Sequence, residues 1–287
     1  MAASSLATRV ATAVVLVPLV LAALFLLSTR GWAIVLLVIV VVAAWEWARL
    51  CKAGSAATAG FVLAAAVGGT ALLWSATGGD ASNGFPDAVV YAVCGSAAAF
   101  WLLVAPRWLA AGWPFAGRIA PLIVGAIVLA GTWVALVELQ SHSPWLVLAA
   151  MAVVWIADTA AYFTGRRFGR RKLAPDISPN KTWEGVWGGL AGVAAYALLL
   201  ALLAPSPVLP MRLSVVAVVG FVAGTMLLGG VSVVGDLFES LMKRQAGVKD
   251  SGSLLPGHGG VLDRVDALLA AMPLAAIAAT LWLVPRA

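Results

Sequence analysis

The chain has 287 residues, of which 63% are hydrophobic and 10% charged, and its mean hydropathy is +1.02. Soluble domains carry about 25% charged residues, so an ordinary soluble domain is excluded and the fold class expected is an all-α polytopic membrane protein. A net charge of +6 and a pI near 9.8 do not make it a nucleic-acid binder, because the bases lie between apolar runs and form no continuous basic face.

Runs of about 20 apolar residues are long enough to cross a bilayer. Nine such runs are predicted: 10–28, 32–50, 56–75, 86–105, 119–138, 144–164, 186–205, 213–235 and 264–284. The first could mimic a secretory signal, but its length and the spans after it read as a retained helix. The second ends in the polar WEWARL, and Gly68 and Gly69 interrupt the third. The strict alternation of a β-barrel is missing, so strands are not expected. Cys51 and Cys94 suit neither a disulfide framework nor a zinc site and read as packing residues.

The bases orient the spans. With the N-terminus inside, 15 of the 18 lysines and arginines fall on the cytoplasmic side. Only Arg30, Arg212 and Arg286 fall outside. The positive-inside rule then predicts an N-in, C-out protein with segments 165–185 and 236–263 cytoplasmic. Thirteen arginines against five lysines, with many alanines, suggest a GC-rich bacterium and hence its plasma membrane. GGDASNGFPD, at 78–87, reads as an outer turn. Residues 1–140 hold five spans whose acids, Glu46 and Glu138 among them, lie near span ends, and they read as scaffold. Residues 141–287 carry the polar segments and read as the catalytic region. Glycines recur four apart at Gly185/Gly189, Gly188/Gly192 and Gly220/Gly224, a spacing that suits close packing behind a site, a homodimer contact, or the general abundance of glycine in membrane helices.

Chemistry begins in the sixth span with Asp158. A carboxylate within the bilayer costs about 2.5–3.5 kcal/mol on insertion scales, so it needs a partner or a wet cavity; a hydrogen-bonded structural acid is the plainer alternative. GRRFGRRKL (165–173) is a basic anchor, which does not preclude phosphate binding. In SPNKTWEG (178–185), Ser178 or Asn180 is placed to cap the next helix, with Lys181 near its N-terminus, where phosphate is favoured.

Residues 236–266 hold five acids, four lysines and arginines, and one of two histidines. Asp236 and Glu239 are three apart on one helical face, and Asp263 and Asp266 repeat that spacing at the start of the ninth span. Helix capping would account for the second pair. Four converging carboxylates would repel, however, unless cations lay between them, and hard oxygen ligands select Mg²⁺, Mn²⁺ or Ca²⁺ over zinc. Lys243, Arg244, Lys249 and Arg264 supply countercharge for an anion, and PGHGG (256–260) offers backbone N–H groups to phosphate. His258 suits phosphate binding or a structural turn. Acids for metal beside bases for anion is the composition of a phosphoryl-transfer site. Walker, kinase and Ser/His/Asp patterns are missing.

Residues 240–266, SLMKRQAGVKDSGSLLPGHGGVLDRVD, resemble the signature of the phosphatidate cytidylyltransferases, also called CDP-diacylglycerol synthases. The pattern is S-x-x-K-R, four residues, K-D-x-G, then L-P-x-H-G-G-x-x-D-R-x-D, and each fixed position matches. Residues 158–189 resemble the family's second characteristic region, and the likeness covers about 150–284. Ala267 stands where many members have a small polar residue.

The resemblance implies transfer of a cytidylyl group from CTP to phosphatidate, a bilayer lipid, giving CDP-diacylglycerol and pyrophosphate. It implies catalytic roles for Asp236, Asp263, Asp266 and Lys249. Substrate contacts would come from Lys181, Ser178, Ser240, Lys243, Arg244, His258 and Arg264. Two cation sites holding Mg²⁺ or Mn²⁺ would involve Asp236, Asp263 and Asp266, with Asp158 as a further ligand. A CDP-alcohol phosphotransferase would need a D-G-x-x-A-R pattern, which does not occur. An ion-coupled transporter built around Asp158 would not need the acid-and-base segment opposite it. A purely structural scaffold does not account for the buried acids.

Overall fold

The computed structural model describes residues 2–78, 83–115, 119–203 and 214–283. Arg118, Arg212, Arg286 and residues 79–82 of the outer turn lie outside them, as does the side chain of Arg9.

The described chain is a bundle of long apolar helices. In chain order they are α1 (Ala2–Leu26), α2 (Thr29–Leu50), α3 (Ser55–Thr77), α4 (Asp87–Ala99), α5 (Ala105–Ala111), α6 (Ile119–His142) and α7 (Pro144–Phe168). A hairpin of β1 (Lys172–Ala174) and β2 (Ser178–Thr182) follows, then α8 (Trp183–Leu203), α9 (Val215–Ala246) and α10 (Leu262–Ala278). A wide π-turn, Phe100–Val104, joins α4 to α5 as one span. Ala105 N–H reaches back five residues to Phe100 O just before Pro106, which has no N–H to continue the ladder. Eight helices are long and apolar enough to cross a membrane, and Val10–Leu26 is a shorter ninth.

Helix starts follow local rules. Ser28, Ser143 and Ser214 each accept a first-turn N–H of α2, α7 and α9, and Pro144 occupies the first turn of α7. Contacts at helix ends show the chain crossing back and forth. At one end, Thr12 Oγ1 donates to Pro256 O (2.9 Å), Trp47 Nε1 to Pro121 O (2.8 Å) and Gln245 Nε2 to Trp113 O (3.0 Å). At the other, Gln140 Nε2 donates to Leu24 O (3.4 Å) and Phe85 N to Glu138 Oε2 (2.9 Å). Each successive span therefore reverses direction, as nine spans require.

The core sits around α10, which packs against α4, α6, α7 and α9. Two-thirds of its apolar stretch (67%) is buried, against 6% for α3. By this measure α3 is peripheral and α10 central. The predicted division at residue 140 is thus crossed by packing, because α10 lies against helices from both sides of it.

Three local expectations need correction. The eighth span does not stop at 235: α9 continues to Ala246, where Gly247 ends it with φ +78°. Asp236, Ser240, Lys243 and Arg244 are accordingly on a helix, and the loop proper is 247–261. Strands do occur, as the hairpin over 172–182, outside the spans; its register runs from Lys172 opposite Thr182 to Ala174 opposite Ser178. The cap of α8 is Thr182, whose hydroxyl accepts Gly185 N–H at 3.1 Å, while Ser178 opens β2.

The glycine pairs also resolve. A Cβ on Gly188 would overlap Thr164, and one on Gly189 would lie 2.8 Å from Ala157 O. These glycines let α8 pack on α7 within the chain. Gly224 faces open space.

Candidate functional site

The site lies where α7, α8, α9 and α10 end together, beneath the hairpin. Two packing features place its acids. Gly235 lets α9 approach α10 so closely that a Cβ there would come 2.6 Å from Asp266 O. Phe238 fills the opposite face of α9, with ring centroids 5.1–5.7 Å from Phe115, Phe100, Trp101 and Trp108. With Phe238 buried, the helical turn directs Asp236 and Ser240 toward the other side.

Two lysines organise the carboxylates. Lys181, carried by β2, reaches across to Asp236 with Nζ–Oδ2 at 2.5 Å. Ser240 Oγ donates to Asp236 Oδ1 at 3.3 Å. Asp158 and Asp266 both feel the charges of Asp236 and Lys181. The structure thus brings together four residues predicted from separate stretches of the sequence. Lys243, one turn from the end of α9, forms the second group. Its Nζ pairs with Glu239 and lies 2.7 Å from Asp263 Oδ1. Counting Asp158, Asp236, Glu239, Asp263 and Asp266 against Lys181 and Lys243 leaves a formal charge of −3, so the cluster attracts cations.

Asp263 is already engaged. Its Oδ2 accepts Ser251 N–H (2.8 Å), Ser251 Oγ–H (2.9 Å) and Gly260 N–H (2.8 Å). The PGHGG turn is likewise closed on itself: His258 N–H and Gly259 N–H both go to Leu255 O, at 2.8 and 3.1 Å. With Gly260 N–H given to Asp263, these three donors are not aimed at a phosphate. His258 Nδ1 is buried without a hydrogen-bond partner among the described residues. Gly259 holds φ +87°, and a Cβ there would sit 2.7 Å from Asp263 Oδ2, so both conformation and space select glycine.

The remaining predicted bases differ from one another. Arg244 Nε donates to Ile177 O at 3.3 Å, tying the end of α9 to the hairpin. Lys249 and Arg264 are exposed and make no ion pair among the described residues.

The donor set suits a hard divalent cation at Asp236 and Asp266, which are close, oxygen-only and part of a surplus of negative charge. Among the described residues, no three His, Cys, Asp or Glu side chains gather closely enough to cage an ion unaided.

Sequence reasoning passed over Glu46 as scaffold. It is fully buried and accepts Leu262 N–H at 2.8 Å, at the start of α10. The one available signal was a carboxylate near the inner end of an otherwise apolar span.

Comparison with known proteins shows the family. The model of the cytidylyltransferase family matches residues 7–282. The chain is 41% identical to a phosphatidate cytidylyltransferase of Pseudomonas aeruginosa, with 96% of each chain covered. It is 36% identical to one from Haemophilus influenzae over 92% of this chain and 95% of the relative. A phosphatidate cytidylyltransferase of Thermotoga maritima is 42% identical over 45% of this chain and 47% of its own. With a family model spanning nearly all the chain and relatives matched end to end, this membrane protein is an enzyme of the phosphatidate cytidylyltransferase family.

Proposed function

We propose that the protein transfers the cytidylyl group of CTP to phosphatidate, releasing pyrophosphate, at the cytoplasmic face of a bacterial plasma membrane. The observation that carries this reading is the cluster in which Lys181–Asp236 and Lys243–Asp263 ion pairs stand beside Asp158 and Asp266, which make no ion pair among the described residues. Phosphoryl transfer between two anions needs charge of both signs in one place. The names of the similar proteins support the choice of substrates.

In the reaction, a phosphate oxygen of phosphatidate attacks the α-phosphorus of CTP. The new P–O bond forms as the bond to the β-phosphate oxygen breaks, and pyrophosphate leaves with the electron pair. The attacking oxygen is ionised at neutral pH, so no general base is needed. Asp236 and Asp266 would hold a divalent cation such as Mg²⁺, with substrate oxygens completing its shell. When bound, such a cation neutralises triphosphate charge and aligns the attack. Lys181 holds Asp236 in place and stands near enough to receive a phosphate oxygen. Lys243 fixes Asp263, and Asp263 closes the 251–260 loop. Lys249 and Arg264, exposed on that loop and the first turn of α10, supply positive charge for the triphosphate and the departing pyrophosphate. The lipid's acyl chains remain in the bilayer, so the head group meets CTP at the interface.

The test uses purified protein in mixed micelles with phosphatidate and α-labelled CTP. Label should pass to CDP-diacylglycerol with one pyrophosphate released per turnover, and a divalent chelator should stop it. Label appearing in another lipid, or no lipid product at all, overturns the assignment.

A further inference from the structure

We infer that Glu46 is a positioning residue of the site, holding the 251–262 segment from α2 so that Asp263 is presented to Lys243. The inference rests on the cytidylyltransferase reading above for its kinetic readout.

The start of α10 lacks a cap of its own. Val261, its N-cap residue, has no side chain that can accept a hydrogen bond. Glu46 supplies the acceptor from more than 200 residues away. Its Oε1 accepts Val261 N–H at 3.1 Å, and its Oε2 accepts Leu262 N–H at 2.8 Å and Ser251 Oγ–H at 3.2 Å. The carboxylate is completely buried, and no lysine or arginine pairs with it among the described residues. A buried carboxyl group met by a helix N-terminus and a hydroxyl, with no countercharge among the described residues, is held by dipoles alone.

The loop is shaped around it. A Cβ on Gly252 or on Gly260 would run into Glu46 Oε1, and neither glycine has a positive φ, so space alone demands glycine at both. Ser251 then connects Glu46 to the reaction centre. Its single hydroxyl lies 3.2 Å from Glu46 Oε2 and 2.9 Å from Asp263 Oδ2. Asp263 in turn carries Lys243, which also pairs with Glu239 on α9. A chain of contacts thus runs from Glu46 through Ser251 to Asp263 and Lys243, and a scaffold helix sets the placement of residues on α9 and α10.

Glu46→Gln, Ser251→Ala and the double variant test this. Gln keeps the size but presents an amide N–H to backbone N–H donors. Each single variant should lower kcat about ten- to a hundredfold, as the loss of supporting partners commonly does, with KM for CTP little changed. Because both act through Asp263, the double variant should be no slower than the slower single one. Protease cleavage within 247–261 should also quicken in Glu46→Gln, a readout that needs no turnover. Wild-type kcat in Glu46→Gln, losses that multiply in the double variant, or unchanged loop protection would each overturn the inference. If Glu46→Gln does not fold, Ser251→Ala decides alone, and wild-type kcat there overturns it. An inactive wild-type protein would count against the proposed reaction, while the proteolysis would still judge the clamp.

Discussion

Asp236 has two partners that orient it: Lys181 at 2.5 Å and Ser240 at 3.3 Å. Removing its charge would strip the proposed cation site of a ligand and leave Lys181 without its partner. Asp236→Asn should therefore reduce kcat by at least a hundredfold while Tm in detergent changes little, because Asp236 is partly exposed. Substantial turnover by this variant at saturating Mg²⁺ would remove Asp236 from the cation site. Lys249 and Arg264 present the opposite case. Neither pairs within the protein among the described residues, so each is free to bind an anion. Lys249→Gln or Arg264→Gln should lower kcat/KM for CTP about ten- to a thousandfold, since a charge-assisted hydrogen bond contributes about 1.5–3 kcal/mol and more in a dry site. Steady-state kinetics on the purified variants separates this from membrane anchoring, which would alter insertion and leave kcat/KM unchanged. The acids of α9 and α10 were legible in the sequence because charge stands out against apolar spans. Their individual partners were not. That Asp263 spends one oxygen on Ser251 and Gly260 depends on a loop conformation that spacing alone does not encode. Glu46 was missed for a related reason: its partners lie more than 200 residues away, and no local pattern links them.

Helices were read from hydropathy, so their apolar bodies were found and their polar ends were not. α9 runs past 235 because SLMKRQA keeps helical periodicity: Leu241 and Met242 are buried while Lys243 pairs with Glu239 one turn back. Hydropathy falls there although the helix does not stop, and Gly247 is the residue that ends it. The 172–182 hairpin escaped because its strands are short and charged, without the apolar alternation that marks longer ones. The packing of α8 on α7 was legible in part, through glycine spacing, and here the pairs differ in a testable way. Gly189 faces Ala157 O at contact distance, whereas Gly224 faces open space. Gly189→Leu should overpack the α7–α8 seam, cost about 1–3 kcal/mol and lower Tm in detergent. Gly224→Leu should leave Tm near that of the unsubstituted protein. Equal effects from the two would mean that the seam is not what the spacing serves.

At the scale of the whole molecule, the end-to-end contacts fix which helix ends share a face, but the bases decide which face meets the cytoplasm. Six bases from Arg166 to Lys181 and four from Lys243 to Arg264 stand at the same end as the acid cluster. By the positive-inside rule that end would face the cytoplasm, where the proposed reaction would draw its CTP. Single-cysteine labelling can test this because the two native thiols are hidden. Cys51 and Cys94 are both buried, and burial pushes the Cys51 thiol up to about 12, so it holds almost no reactive thiolate near neutral pH. Reporter positions follow from packing. Gly252 is unsuitable, since any side chain there meets Glu46, whereas Arg170 and Ser253 are exposed at the site end and Asn83 is exposed at the other. Cysteine at 170 or 253 should resist an impermeant maleimide added to intact cells and react once the membrane is opened. Cysteine at 83 should react in intact cells. Labelling of 170 and 253 from outside, with 83 protected, would invert the protein and separate the cluster from cytoplasmic CTP. The orientation and the proposed reaction would then fail together, even if the fold stood unchanged.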